Sequence, residues 1–321
     1  MTLDDALRDL AATGNELPRA AMQWALEHWD EAGPRFVALL DAYARGQDRS
    51  EPTERALFFI VHLLGEKAEA AAFSPLCRLL LDAEVPELVL GDAITTTLRG
   101  ILISTYDGDL AALQAVVEAE GADEFVREGA LLALAYLART GRLPEAEVHA
   151  YLVHLLTAMR PQAEHFVWIG WLLAVAHLGY EDLAGEAEGL IRRGLVSERD
   201  WRVADFRRDL RRTLADPARL AGFAHDRVGP FTGAIEELEG WHAFSGEDAV
   251  AELPALADFE VQQPITNPLR KVGRNDPCPC GSGKNSRSAA WWYEERGSAV
   301  RLRDASPAAH SHCRAGCPAE P

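Results

Sequence analysis

The sequence predicts an all-α protein: a HEAT-like α-solenoid of helical pairs, followed by a linker and a small, degenerate zinc-knuckle tail. Three observations lead there. Through residues 1–240, segments with apolar residues three and four apart recur between short runs of Gly, Pro and Asp, while strand-like alternation and hairpin dipeptides are missing. Four strongly apolar segments, 53–65, 91–103, 129–141 and 167–179, begin 38 residues apart, each after a more amphipathic one. The chain also has the means to bury a large core, with 48% hydrophobic residues in 321.

The amphipathic segments fall at 34–46, 71–82, 109–119 and 145–159. In the last, Val148, Leu152, Leu155 and Met159 form one stripe and leave His149 and His154 on the other side, the pattern of a helix with one buried face. The strongly apolar segments read differently. Residues 129–138 and 164–178 are apolar nearly all round, so such helices must be covered on several sides. One helical pair cannot cover its inner helix alone, whereas pairs stacked side by side can, and this makes the repeat a solenoid. The spacing lies just below that of HEAT repeats and above that of tetratricopeptide repeats. Gly65, Gly141 and Gly179 close three of the four inner segments, where a left-handed residue ends a helix. A final arginine-rich helix over 199–212 carries the stripe Val203, Phe206, Leu210 and Leu214, with Asp200, Asp205 and Asp209 placed to pair with arginines on its surface. Residues 241–271, with Pro254, Pro264 and Pro268 and little periodicity, read as a linker.

Charge and punctuation exclude several classes. The net charge is −18, and residues 1–265 hold 23 Lys+Arg against 45 Asp+Glu, so the acidic body is no nucleic-acid binder. The start, Met-Thr-Leu-Asp-Asp, lacks the basic and apolar regions of a signal peptide, and the longest apolar run, 167–176, is too short to span a bilayer. These features predict a cytoplasmic chain without a membrane span. Four of the five cysteines lie beyond residue 277, which suits metal ligation better than a disulfide framework; Cys77, in an apolar run, reads as a core side chain.

Residues 272–284 read Val-Gly-Arg-Asn-Asp-Pro-Cys-Pro-Cys-Gly-Ser-Gly-Lys. Cys278 and Cys280 can supply two of the four ligands of a zinc knuckle, in a turn stiffened by Pro277 and Pro279 and folded at Gly281 and Gly283. The run is not a phosphate-binding loop, which would need Gly at 278 and Ser or Thr at 285. The segment resembles the SEC-C motif, known from the C-terminal tail of the preprotein-translocase motor ATPase. That resemblance implies zinc, a closing Cys-Cys or Cys-x-His pair, and docking to a chaperone or ribosome. Here Ala289 and Ala290 stand where the closing ligands belong, so the knuckle over 272–290 is incomplete after Lys284, and zinc is expected to be weak or absent. The departure has the form of one lost base. Codons for Lys-Lys-Phe-Lys-Lys-Cys-Cys-Leu, read after loss of a G from the second, give Lys-Asn-Ser-Arg-Ser-Ala-Ala-Trp, identical to residues 284–291. Residues 291–321 then read as an out-of-frame, disordered tail. Their His310, His312, Cys313 and Cys317 are a weaker candidate for the missing ligands, because a long unshaped loop would have to close around the metal.

The body also carries a resemblance. The stretches 90–102 (Leu-Gly-Asp-Ala-Ile-Thr-Thr-Thr-Leu-Arg-Gly-Ile-Leu), 106–110 (Tyr-Asp-Gly-Asp-Leu), 122–131 (Ala-Asp-Glu-Phe-Val-Arg-Glu-Gly-Ala-Leu) and 141–144 (Gly-Arg-Leu-Pro) are similar to a bacterial family of unknown function, DUF1186, over about residues 15–215. The family implies a helical fold and no established activity. The expected function is a protein-interaction scaffold without catalysis. The alternative is a metal-dependent, hydrolase-like enzyme built on Asp92, Thr95, Thr96, Thr97, Asp107 and Asp109, although Asp107 and Asp109 around Gly108 read more simply as turn and cap residues. His62, His165 and His177 fall in apolar helices, where a hydrogen-bonded core histidine is the commoner outcome.

Overall fold

A computed structural model describes residues 1–244 except 13, 15 and 198; the predicted zinc ligands Cys278 and Cys280, the distal His and Cys residues, and all but the first residues of the linker lie outside the described residues. The described residues form sixteen α-helices and no β-strand. The first are α1 (Leu3–Leu10), opened by a capping box between Thr2 and Asp5, α2 (Arg19–Glu27), α3 (Trp29–Ala44) and α4 (Glu51–Glu66). Then come α5 (Phe73–Leu80), α6 (Val85–Leu90), α7 (Ala93–Thr96), α8 (Leu98–Thr105) and α9 (Leu110–Glu118). The apolar segment at 91–103 is therefore two helices, broken at Thr97. The cause is local: Thr95 and Thr96 bond back to the carbonyl of Asp92, and Thr97 to that of Ala93, competing with the regular ladder.

Next is α10 (Glu124–Arg139), which starts ahead of its apolar repeat because the Asp123 carboxylate accepts from the N–H groups of Phe125 and Val126 at 2.8 and 3.2 Å. It is followed by α11 (Glu145–Ala158), α12 (Val167–Leu178), α13 (Ala184–Arg192) and α14 (Val203–Ala215). These helices lie in two sets of neighbours. In one, α4 packs on α8, α8 on α10, α10 on α12 and α12 on α14; in the other, α3 packs on α5 and α5 on α9. The sets meet where α3 contacts α4, α9 and α11 contact α10, and α13 contacts α12 and α14. Arginines tie the helix ends together. Arg142 donates to the carbonyls of Ile103 and Tyr106, Arg139 to that of Leu178, and Arg127 to those of Val117 and Arg160, supplying partners that terminal carbonyls lack within their own helices.

After α14 the chain turns back. The helix α15 (Ala221–His225) lies on α14 and α12, and α16 (Ala234–Glu239) on α4 and α2. From α15 Phe223 meets the rings of His177 and Tyr136 at 5.0 and 5.5 Å, and between the two helices the Phe231 N–H donates to the carbonyl of Gly100 at 3.1 Å. The Ala234 N–H then donates to the Glu66 carboxylate at 2.7 Å, and Trp241 and Phe244 close on Phe58. Residues 221–244 thus form a strap that crosses the α4–α8–α10–α12 set in reverse order.

The strap explains why α12 is apolar all round: every residue of it except Leu173 is buried. It also corrects the reading of Gly65, which closes no helix. Gly65 lies within α4, and a Cβ there would meet Ile101 Cγ1 at 2.9 Å and the Phe231 ring at 3.2 Å. Gly141 and Gly179 do end their helices, with φ of 75° and 72°. The arginine-rich helix behaves as its pattern implies, burying Phe206 and Leu210 and pairing Arg208 with Asp205 at 2.7 Å and Arg212 with Asp209 at 2.8 Å. Cys77 is buried, and its thiol is pushed up by burial and by Asp107 and Asp109. Among the described residues no helix is long and apolar enough to cross a membrane.

Candidate functional site

The carboxylate cluster expected at 92–109 is not one site in space. Asp92 precedes α7 and Asp107 follows α8, so α8 alone separates them by about 12 Å at 1.5 Å per residue. Asp107 accepts from the Asp109 N–H at 2.8 Å, and Asp109 caps α9 by accepting from the Ala112 N–H at 3.0 Å, so both carboxylates shape backbone. Thr97 turns the other way, to the imidazole of His62. Among the described residues no group of three His, Cys, Asp or Glu side chains is arranged to hold a metal ion.

What the fold does bring together is a line of polar groups on the helices beneath the strap. His62 on α4 is fully buried; Nδ1 meets the Phe58 carbonyl at 2.6 Å and Nε2 the Thr97 hydroxyl at 2.9 Å. Burial lowers its pKa to about 4, only partly opposed by the Phe58 carbonyl, so the ring is neutral at pH 7. On α12, His177 is also fully buried, with Nε2 2.8 Å from Asp226 of the strap. Burial works against ionising Asp226, yet His177, His225 and Arg212 together bring its carboxyl below the usual range. His165 departs from expectation: it sits just before α12, partly exposed, and its Nδ1 accepts from the Val167 N–H at 3.3 Å. The apolar pattern ran back past the true helix start, so it placed this histidine one turn too deep.

Between these histidines lies Glu128 on α10, only 9% exposed. Its pKa is raised to about 7 by burial, against the attraction of Arg99 on α8 and with added repulsion from Asp226. Gly170 of α12 lies so close that a Cβ there would meet Glu128 Cα at 2.9 Å, so α10 and α12 touch at this point. Sequence reasoning missed Glu128, because a charged residue in an apolar helix carries no signal of which neighbour will cover it; here α12 lies against it at Gly170. A carboxyl that titrates near neutrality can bind or release a proton at ordinary pH.

A second feature lies at the other end of the strap. Residues of α4, α6 and the strap end line an open cleft of about 510 Å³, with Phe58, Phe59, Leu88, Val89, Trp241 and Phe244 forming much of its wall. Trp241 and Phe244, from the stretch read as the start of the linker, are in contact with α4 here.

Comparison with known proteins gives two matches along the chain. The family model described as protein of unknown function (DUF1186) matches residues 1–245, and the SEC-C motif matches residues 274–286, ending before Ala289. Curated relatives are translocase subunits matched over short stretches. Protein translocase subunit SecA of Nitrosomonas europaea is 48% identical over 54 residues, 16% of this chain and 6% of that one. SecA of Brachyspira hyodysenteriae is 41% identical over 59 residues, 18% of this chain and 6% of that one. SecA 1 of Bordetella avium is 72% identical over 25 residues, 8% and 3%. No solved structure matches.

Proposed function

From the premise that the chain belongs to the DUF1186 family of proteins of unknown function, we propose that it is a cytoplasmic protein-interaction scaffold without catalysis of its own. In this reading the body is a HEAT-like solenoid of helical pairs, and the SEC-C tail is a second docking element. The observation that carries the reading is the union of two parts in one chain: helices in two neighbouring sets, and a SEC-C motif match in a chain that shares short stretches with translocase subunits. The strap favours it too, because a stack filled along one set by its own chain offers outer surface to partners rather than an enclosed pocket.

In this reading zinc is held weakly or not at all by the chain as it stands. A structural zinc site needs four donors, and only Cys278 and Cys280 stand in motif order, with Ala289 and Ala290 offering none. Affinity capture from a bacterial lysate, followed by titration of the purified partner, tests the scaffold. The expected result is a stoichiometric protein partner that Asp107→Ala retains in full. Turnover of a substrate that disappears in Asp107→Ala, with no partner bound, favours the hydrolase-like alternative.

A further inference from the structure

The cleft at the strap end has an unusual combination of features. Leu88 is 61% exposed, the most exposed large apolar side chain among the described residues, while Val85, Val89 and Leu90 of the same short helix turn inward and are buried. Beside it lie rings in mutual contact: Phe58 meets Trp241 at 5.8 Å and Phe244 at 5.9 Å, and Phe59 meets Phe244 at 5.6 Å. Phe58, Trp241 and Phe244 are only half-buried, so their outer faces remain open to the cleft.

The charges around this apolar floor are one-sided. Arg55 is the cleft's basic residue and is already engaged, donating to the Ala11 carbonyl at 2.8 Å and pairing with Glu51. Glu54 accepts from the Tyr43 hydroxyl at 2.7 Å. Glu87 and Asp92 flank Leu88, are exposed, and form no side-chain ion pair or hydrogen bond among the described residues. What remains free is an apolar floor with two unneutralised carboxylates at its edge, on a body that is itself strongly acidic.

We propose that this cleft docks a short basic, apolar segment of a protein partner, its apolar side chains on Leu88, Phe58 and Trp241 and its Lys or Arg side chains at Glu87 and Asp92. The proposal deepens the scaffold reading and rests on it for the nature of the partner. A volume of about 510 Å³ holds a few side chains rather than a domain face. Aromatic and aliphatic anchors supply affinity at such sites, and the carboxylates supply selection and approach rate. Two copies of this chain meeting here would bring four free carboxylates together, so charge disfavours a self-contact.

Isothermal titration of the full chain with a short alternating leucine–lysine peptide tests the site, against the same peptide with glutamate for lysine and with serine for leucine. The expected result is saturable binding of the leucine–lysine peptide alone, weakened about tenfold by Leu88→Gln through loss of one anchor. The double variant Glu87→Lys with Asp92→Lys should exchange preference toward the leucine–glutamate peptide. Both changes are at exposed positions, and unchanged circular dichroism and unfolding midpoint confirm that the fold is kept. Equal binding of the serine–lysine or leucine–glutamate peptide overturns the proposal, as does Leu88→Gln binding like wild type. A natural partner held equally by wild type and Leu88→Gln also overturns the cleft while leaving the scaffold in place. Peptide binding without any natural partner supports the cleft and counts against the scaffold.

Discussion

Glu128→Gln is a direct test of the polar line beneath the strap. The carboxyl is raised from 4.5 to about 7 by burial, with Arg99 and Asp226 the charged groups acting on it. Between those values the folded protein holds a proton that the unfolded chain has released, so this group favours folding below pH 4.5 and that contribution is lost as pH rises through 7. At about 1.36 kcal/mol per pH unit, the interval amounts to about 3 kcal/mol of strain when the buried carboxylate is ionised. The amide that replaces it is neutral at every pH and nearly the same shape. The expected outcome is that the variant and wild type unfold together near pH 4.5 and diverge above it, the variant being more stable by up to about 3 kcal/mol at pH 8. Urea unfolding followed by circular dichroism, compared at each pH, measures this, and the difference between the two proteins removes the titration of all other groups. A difference that does not change with pH, or a variant less stable than wild type at pH 8, refutes the reasoning.

Two further outcomes are expected. In Gly100→Ala the new Cβ would lie 3.1 Å from the Gly229 carbonyl oxygen and 3.3 Å from Phe231 Cβ, both on the strap, so the strap must shift; the loss of about 1–3 kcal/mol typical of overpacking should appear in thermal unfolding, with faster hydrogen exchange at the Phe231 amide. Native mass spectrometry should find less than stoichiometric zinc in the chain as it stands and one zinc per chain in a frame-restored form with cysteines at 289 and 290, with sequencing of the gene showing those codons in the alternative frame.

The helical class and the family were legible because they rest on local pattern and on continuous stretches of sequence. Apolar spacing marked the α3, α4, α9, α10, α11 and α12 regions, and turn chemistry identified Asp107 and Asp109 as backbone-shaping residues. Other features lacked such a signal. The short α6 and α7 have too few turns to show a period, and His165 was drawn into a helix by apolar neighbours that continue past its start. Gly65 looked like a helix end by its position alone, although its missing side chain serves Ile101 and Phe231, the latter far along the chain.

The sequence by itself thus determined that residues 1–240 are helical and which helices are covered on every side. Only the tertiary structure decided what covers those helices. The strap meets Gly100 and Glu66 through main-chain groups of Phe231 and Ala234, and main-chain hydrogen bonds leave almost no trace in side-chain pattern. For the same reason the environment of Glu128 and the open faces of Phe58 and Trp241 emerge only when distant segments meet: burial and exposure belong to the packed assembly, while periodicity belongs to each helix alone.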